Sequence, residues 1–263
     1  MPGLSEGATE LLNSINKKEK MTAMLAPSFP IVFDYPQIVG MLRRLGFKYV
    51  VEVSRGAEET NKQLLALMKL HPDKKYITNP CPNIVRLIKA KYQHLAHYLA
   101  PIDSPMSATA KIVEKKYPKT KKVFIGPCLM KKMEAKEDCP ELEILAITYK
   151  ELQDIFNEKN IVPKWADKLT SFDISAKKTR LYPVSGGLSQ SSGIVEKFTD
   201  PQYDVISGPA QANKALQDFI PNYEMKILDI LNCDGGCING PGIVSSDSLD
   251  RRRQKIIAFW NKR

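Results

Sequence analysis

Ile227-Leu228-Asp229-Ile230-Leu231-Asn232-Cys233-Asp234-Gly235-Gly236-Cys237-Ile238-Asn239-Gly240 carries an apolar run straight into a glycine turn that holds two thiols. The run reads as a buried strand, here taken over Met225 to Leu231, and the turn after it as an abrupt break. Thiolates that hold an iron–sulfur cluster need room and backbone donors. A C-x-G-G-C turn supplies both, because glycine lets the chain wrap a bulky inorganic group and point amides at its sulfurs. A strand ending in such a turn also places it where open α/β sheets bind ligands, at the strand's C-terminal end.

Two further cysteines have similar settings. Cys81 lies in Asn79-Pro80-Cys81-Pro82, and Cys128 in Gly126-Pro127-Cys128-Leu129-Met130-Lys131-Lys132-Met133-Glu134. Each follows an expected strand and precedes an expected helix. Four thiols at such turns are the number a 4Fe-4S cluster requires. Other readings stand beside this one. Any one of the four taken alone reads as a small buried hydrophobe. Structural zinc favours paired C-x2-4-C knuckles, whereas Cys81 and Cys128 stand singly. Disulfides are disfavoured in a chain whose Met1–Lys20 lacks the basic-then-apolar pattern of a secretory signal. Cys139, in Glu137-Asp138-Cys139-Pro140, has no glycine or proline before it and is expected to be an ordinary surface or loop cysteine.

Alternating strand and helix signals surround these turns. Strands are expected at Met21 to Ala26, Tyr49 to Val53, Lys122 to Ile125, Leu142 to Ile147 and Asp204 to Ser207. Helices are expected at Pro36 to Leu45, closed by Gly46, and at Glu58 to Leu70, Asn83 to Lys91, Pro105 to Tyr117 and Leu249 to Trp260. Thr148 with Glu151 has capping-box spacing for a helix from Tyr149 to Asn157. Val162 to Thr179 is irregular and charged, like a connection between lobes. The pattern predicts an α/β fold, with two lobes of mostly parallel sheet flanked by helices and the iron–sulfur site between them. Residues 1–20 are expected to be an N-terminal extension, and residues 21–263 one domain with lobes of about 21–160 and 180–263.

The 263 residues, 43% of them hydrophobic, support a substantial core, and no apolar run approaches a membrane helix in length. The expected setting is cytoplasmic, without a membrane. A formal net charge of +10 raises the question of nucleic acid. The lysines fall in scattered pairs without aromatic interleaving, so a solvated basic surface is expected and no nucleic-acid partner. Such a surface would attract an acidic electron carrier.

The cysteine segments resemble, in order, those of the C-terminal catalytic domain of FeFe-hydrogenases, which read T-S-C-C-P, P-C-x-x-K-x-x-E and C-x-G-G-C-x-x-G. Here they are Thr78 to Pro82, Pro127 to Glu134 and Cys233 to Gly240. Ala26-Pro27-Ser28 is similar to the A-P-S segment lining the family's diiron pocket, and Ser104-Pro105-Met106 and Ser185-Gly186-Gly187 also look familial. The resemblance covers roughly residues 21 to 260. It implies that Cys81, Cys128, Cys233 and Cys237 ligate a 4Fe-4S cubane, with Cys237 bridging to a diiron subsite to complete an H-cluster. It also implies that Lys131 bonds a cyanide ligand of that subsite, that Ser28 adds a second polar contact, and that Glu134 matches an acid of the proton route.

Several positions depart from the family. Pro80 stands where the family has its proton-donating cysteine, and proline has no titratable group. No acid near Gln63-Leu64 matches the family's other relay glutamate. Gly126 and Leu231 replace methionines of the diiron pocket, and Pro241 interrupts the glycine run. A kept cluster half with an altered proton half resembles the sensory branches of the family. Three functions follow: an FeFe-hydrogenase-like oxidoreductase, a non-catalytic sensory or 4Fe-4S binding module, or a hydrogenase-like iron–sulfur assembly factor. Met1 to Met24 contains no cysteine, so electrons are expected from a ferredoxin-like carrier, or a redox or signalling partner, in trans.

Overall fold

Met21–Leu25 (β1) is buried at every residue in the computed structural model, which describes residues 4–220 and 223–262. The other strands among the described residues are β2 (Tyr49–Glu52), β3 (Tyr76–Ile77), β4 (Lys121–Gly126), β5 (Ile144–Thr148), β6 (Tyr203–Ser207) and β7 (Ile227–Leu231). The helices are α1 (Glu6–Asn16), α2 (Gln37–Leu45), α3 (Ser54–Leu70), α4 (Pro82–Lys91), α5 (Pro105–Lys116), α6 (Met130–Met133), α7 (Tyr149–Glu158), α8 (Gly187–Ser192), α9 (Ile194–Lys197), α10 (Pro209–Asp218) and α11 (Leu249–Asn261).

The strands form two sheets, ordered β2-β1-β4-β5 and β3-β7-β6, and every pairing is parallel. Parallel strands buried on both faces carry near-continuous apolar runs, as β1 and β7 do. The fold is thus α/β, with helices covering the sheets. The capping box of α7 is present: Glu151 N–H donates to Thr148 Oγ1 at 3.2 Å, and Thr148 N–H to Glu151 Oε2 at 2.7 Å. α2 ends at Gly46, whose amide returns to the Arg43 carbonyl at 3.0 Å.

The lobes are not consecutive halves of the chain, as a break near residues 160–180 would have made them. β3, from the first half, is an edge strand of the second sheet, pairing Tyr76 with Ile227 and Ile77 with Leu228. The last helix, α11, returns to the first core through Phe259, whose ring meets Phe29 and Tyr35 at centroid distances of 4.9 and 5.3 Å. Of residues 1–20, Met1–Gly3 lie outside the described residues, and α1 packs Ala8 and Leu11 into that same core. Its N-cap, Ser5, also donates to the capping carboxylate of Glu151. Within 162–179, Glu52 N–H donates to the Ile174 carbonyl at 2.8 Å, so this irregular segment runs beside β2.

Asp229 sits inside the second sheet, 2% exposed. Its Oδ2 accepts from Ser189 N–H at 3.1 Å and Ser189 Oγ at 2.8 Å, tying α8 to β7. Burial pushes the Asp229 carboxyl up from its usual range despite these two bonds. The folded state therefore keeps this proton at pH values where the unfolded chain has lost it, and its contribution to stability falls as pH rises through that window. Asp229→Asn keeps an oxygen acceptor for Ser189 without the charge. Melting curves from about pH 4 to pH 8 should show the variant gaining on the wild type as pH rises. A pH-independent gap would contradict this assignment.

Candidate metal centre

Strands of both sheets deliver the thiols. Cys81 follows β3 and immediately precedes α4, which starts at Pro82, a position where a missing N–H costs nothing. Cys128 stands two residues beyond β4 and Cys233 two beyond β7, while Cys237 opens the 3-10 turn Cys237–Asn239. All four are free thiols that are buried or half-buried.

Cys128 and Cys237 line one cavity, and burial and neighbouring thiols shape the electrostatics of three of the four. Burial pushes the Cys128 thiol up from its usual range, the Cys81 charge adds to this, and Lys131 opposes it. Cys233 is pushed up to about 11 by burial, then by Cys81 and Cys128. Cys237 goes well above its usual range through burial, then through Cys81, Cys128 and Cys233. Cys139 stands apart. It lies in the link between Asp138 and Pro140, as a loop cysteine would, but is 6% exposed in the first core, which corrects the expectation of a surface position. A π-turn over Glu134–Asp138 directs it inward, and its thiol donates to the Glu134 carbonyl at 3.4 Å.

Among the described residues, no three His, Cys, Asp or Glu side chains converge where a single ion could sit. Tetrahedral zinc needs its donors about 2.0–2.3 Å from one point. A polynuclear cluster takes each thiolate at a different iron and so does not require the four to meet at one point. The glycine turn is built differently from the expectation. Gly235 N–H donates to Ser207 Oγ at 3.1 Å and Gly236 N–H to the Cys233 carbonyl at 2.9 Å, so neither amide is left for a cluster sulfur. Gly236 is needed for close approach: its φ is +101°, and a Cβ there would come within 2.5 Å of the Pro183 carbonyl oxygen.

A cavity of about 70 Å³ adjoins Cys128 and Cys237. Space for one water is on the order of 10–15 Å³, so the cavity suits a group of a few atoms and excludes a large organic substrate. Ser28, Pro80 and Lys131 all face it. Lys131, 8% exposed, bonds Glu134 Oε2 at 2.5 Å and Ser104 Oγ at 3.3 Å. Burial would depress its ammonium, but the Glu134 carboxylate outweighs that and holds it above its usual range, with Cys128 and Cys237 adding to the effect. An ammonium has three donors, so one remains for the cavity. Glu134 also accepts from Ser104 and lines a neighbouring cavity of about 210 Å³, not the one beside Cys237. Gln63 donates to Asp103 Oδ2 at 3.0 Å and lines neither.

Tyr149 carries no signal in the sequence beyond opening α7, yet it controls Ser28. Its hydroxyl donates to the Ala26 carbonyl at 2.8 Å, so Ser28 must be the donor in the 2.8 Å bond between the two hydroxyls. Ser28 therefore offers the cavity only lone pairs. Phe124, like Val53, Tyr182 and Pro183, is a wall residue not expected from the sequence. Strand alternation could have revealed it, since residues 124 and 126 share one face of β4.

The sequence matches the family described as iron only hydrogenase large subunit, C-terminal domain, over residues 19–241. No curated protein matches it significantly. Among solved structures it is similar to [FeFe]-hydrogenase HydA1 from Chlamydomonas reinhardtii, and to the HydA(deltaEFG) structure that revealed stepwise H-cluster assembly. Each match has a TM-score of 0.71 and 18% identity, and covers 98% of this chain and 89% of the other. That likeness is one of fold.

Proposed function

Because the chain belongs to the family of C-terminal domains of iron-only hydrogenase large subunits, we propose that it holds a 4Fe-4S cluster on Cys81, Cys128, Cys233 and Cys237. The observation that carries this is the placement of all four cysteines in the turns that follow β3, β4 and β7, with Cys128 and Cys237 on the wall of one cavity. When bound, the cluster supplies one-electron redox chemistry, and a diiron subsite in the cavity would supply hydrogen chemistry. The protein's own part is to exclude water, present one Lys131 donor and hold that ammonium through Glu134 and Ser104.

The proposed role is redox or hydrogen sensing with slow turnover. Fast turnover needs a positioned proton donor in the cavity, and Pro80, a cavity-wall residue, cannot be one. Ser28 has its proton directed at Tyr149. Electrons would come from a separate ferredoxin-like carrier or signalling partner drawn by the +10 charge, at rates that fall as salt screens the attraction. A catalytic reading is favoured by one observation, the remaining Lys131 donor, which suits a small anionic ligand.

Infrared spectroscopy of maturated protein tests these proposals together, because carbonyl and cyanide bands report the diiron unit. With those bands present, hydrogen turnover should be slow, and Pro80→Cys should raise it within the roughly 10²–10⁴-fold range typical of a general acid. A fast wild type would refute the sensing role. Absent bands with about four irons bound would leave a cubane-only module.

A further inference from the structure

The wall of the metal cavity is made by a ring standing where a different residue's side chain would otherwise project. Phe124 and Gly126 lie on the same face of β4, two residues apart. A Cβ on Gly126 would come within 2.6 Å of both Cε1 and Cζ of the Phe124 ring, and within 3.2 Å of Ala26 Cβ. Contacts this short are not accommodated without movement, so the ring at 124 and a side chain at 126 exclude each other. Phe124 is 3% exposed and paired in register with Met24 of β1, which leaves the ring little room within the sheet. Its remaining open side is the cavity, which it lines together with Ala26, Cys128, Lys131 and Cys237.

We infer that Phe124 is the size-determining residue of this cavity, its ring seated over Gly126 and setting how large a group can stand beside Cys237. The group selected is compact and of few atoms, bound through one ammonium against an otherwise mostly apolar wall. Five of the lining residues are prolines (Pro27, Pro80, Pro105, Pro127 and Pro183), which offer no backbone N–H. This rests on the reading of the cavity as part of a metal centre, but the interlock of the two residues can be measured without any metal.

The test is a double-variant cycle on the full chain, read by thermal melts with and without benzene and by bound iron per chain. Phe124→Ala should lower the melting temperature by roughly 6–15 °C and create a site that benzene stabilises, whereas benzene leaves the wild type unchanged. Phe124→Leu, a milder truncation, gives the same benzene response at smaller amplitude and keeps the test decisive if the alanine variant does not fold. Gly126→Met with Phe124 present should lower the melting temperature by roughly 3–10 °C. It should also reduce bound iron, since the open space beside the ring is the cavity that Cys237 lines. The Phe124→Ala/Gly126→Met variant should melt above Gly126→Met alone, recover iron, and ignore benzene because the methionine fills the vacated space. Additive effects, a neutral Gly126→Met, or benzene stabilisation of the wild type would each overturn the inference. A wild type that takes up no iron would instead defeat the proposed function, while the melts and the benzene response still decide the role of Phe124.

Discussion

Cys237→Ala is expected to strip most of the iron from reconstituted protein, where the wild type should hold about four irons and four sulfides. Cys81→Ala, Cys128→Ala and Cys233→Ala should act in the same direction. Cys139→Ala should leave the iron content unchanged, although Cys139 is as well buried as any of them. Burial alone therefore cannot account for the expected difference. Beyond burial, Cys139 is pushed up by the carboxylates of Glu134 and Glu141, whereas Cys233 and Cys237 are pushed up by neighbouring thiols. Iron and sulfide assays on the five variants check this. Loss of iron from Cys139→Ala with retention in Cys237→Ala would overturn the ligand set.

The largest stability effect from a lost ion pair should come from Arg180. Its guanidinium grips Glu52 through Nε–Oε1 at 2.8 Å and Nη2–Oε2 at 3.0 Å, and it lies 4.0 Å from the centroid of the Phe259 ring. Glu52, at the end of β2, is fully buried and also accepts from Ser54 Oγ at 2.7 Å. Burial pushes its carboxyl up even with Arg180 opposing. Arg180→Ala would strand that carboxylate, at a cost of about 3–5 kcal/mol. For a chain of this size the melting temperature should drop by on the order of 10 °C. The deficit should shrink as pH falls, because a stranded carboxylate can escape the penalty by taking a proton. Pairing Glu52→Leu with Arg180→Met should recover most of the loss, since an apolar replacement leaves no buried charge behind. Denaturant titrations at two pH values would measure both effects; a pH-independent deficit would contradict the stranded-charge explanation.

The candidate thiol turns are more legible in the sequence than the partition of the chain. Cys81, Cys128, Cys233 and Cys237 were visible because each sits at a strand-to-helix or strand-to-loop turn punctuated by proline or glycine, a strictly local signal. Long-range facts were not visible. β3 is two residues long, too short for alternation to register, so its place in the second sheet was hidden. α10 starts at Gly208-Pro209, a pair that reads as a turn although Pro209 is the helix's first residue. α1 carries a serine cap and an apolar face, but its role emerges only through contacts with distant residues, such as Glu151, 146 positions from Ser5. The burial of Cys139 is not legible, because the absence of turn residues before it says nothing about the π-turn that folds it inward. The control of Ser28 by Tyr149 spans 121 positions and likewise has no local signature.

In chain order the protein builds β1 and β2 in one sheet, β3 in the other, β4 and β5 back in the first, β6 and β7 in the second, and ends with α11 against the first core. The backbone thus passes from one sheet's territory to the other's four times. No single cut yields two self-sufficient pieces: a break in the 160–180 segment would leave β3 without β7, and would separate Phe259 from the rings of Phe29 and Tyr35. The two walls of the thiol site are stitched together, not hinged. Spreading them apart to admit a cluster would strain every stitch at once. Arg252 of α11 grips the segment after Cys237, bonding the Ile238 carbonyl at 3.3 Å and Asn239 Oδ1 at 3.0 Å, so the final stitch also holds the quartet's own loop. If the four thiols hold the proposed cluster, its entry is expected before the C-terminal helix has docked, while the last seam is still open.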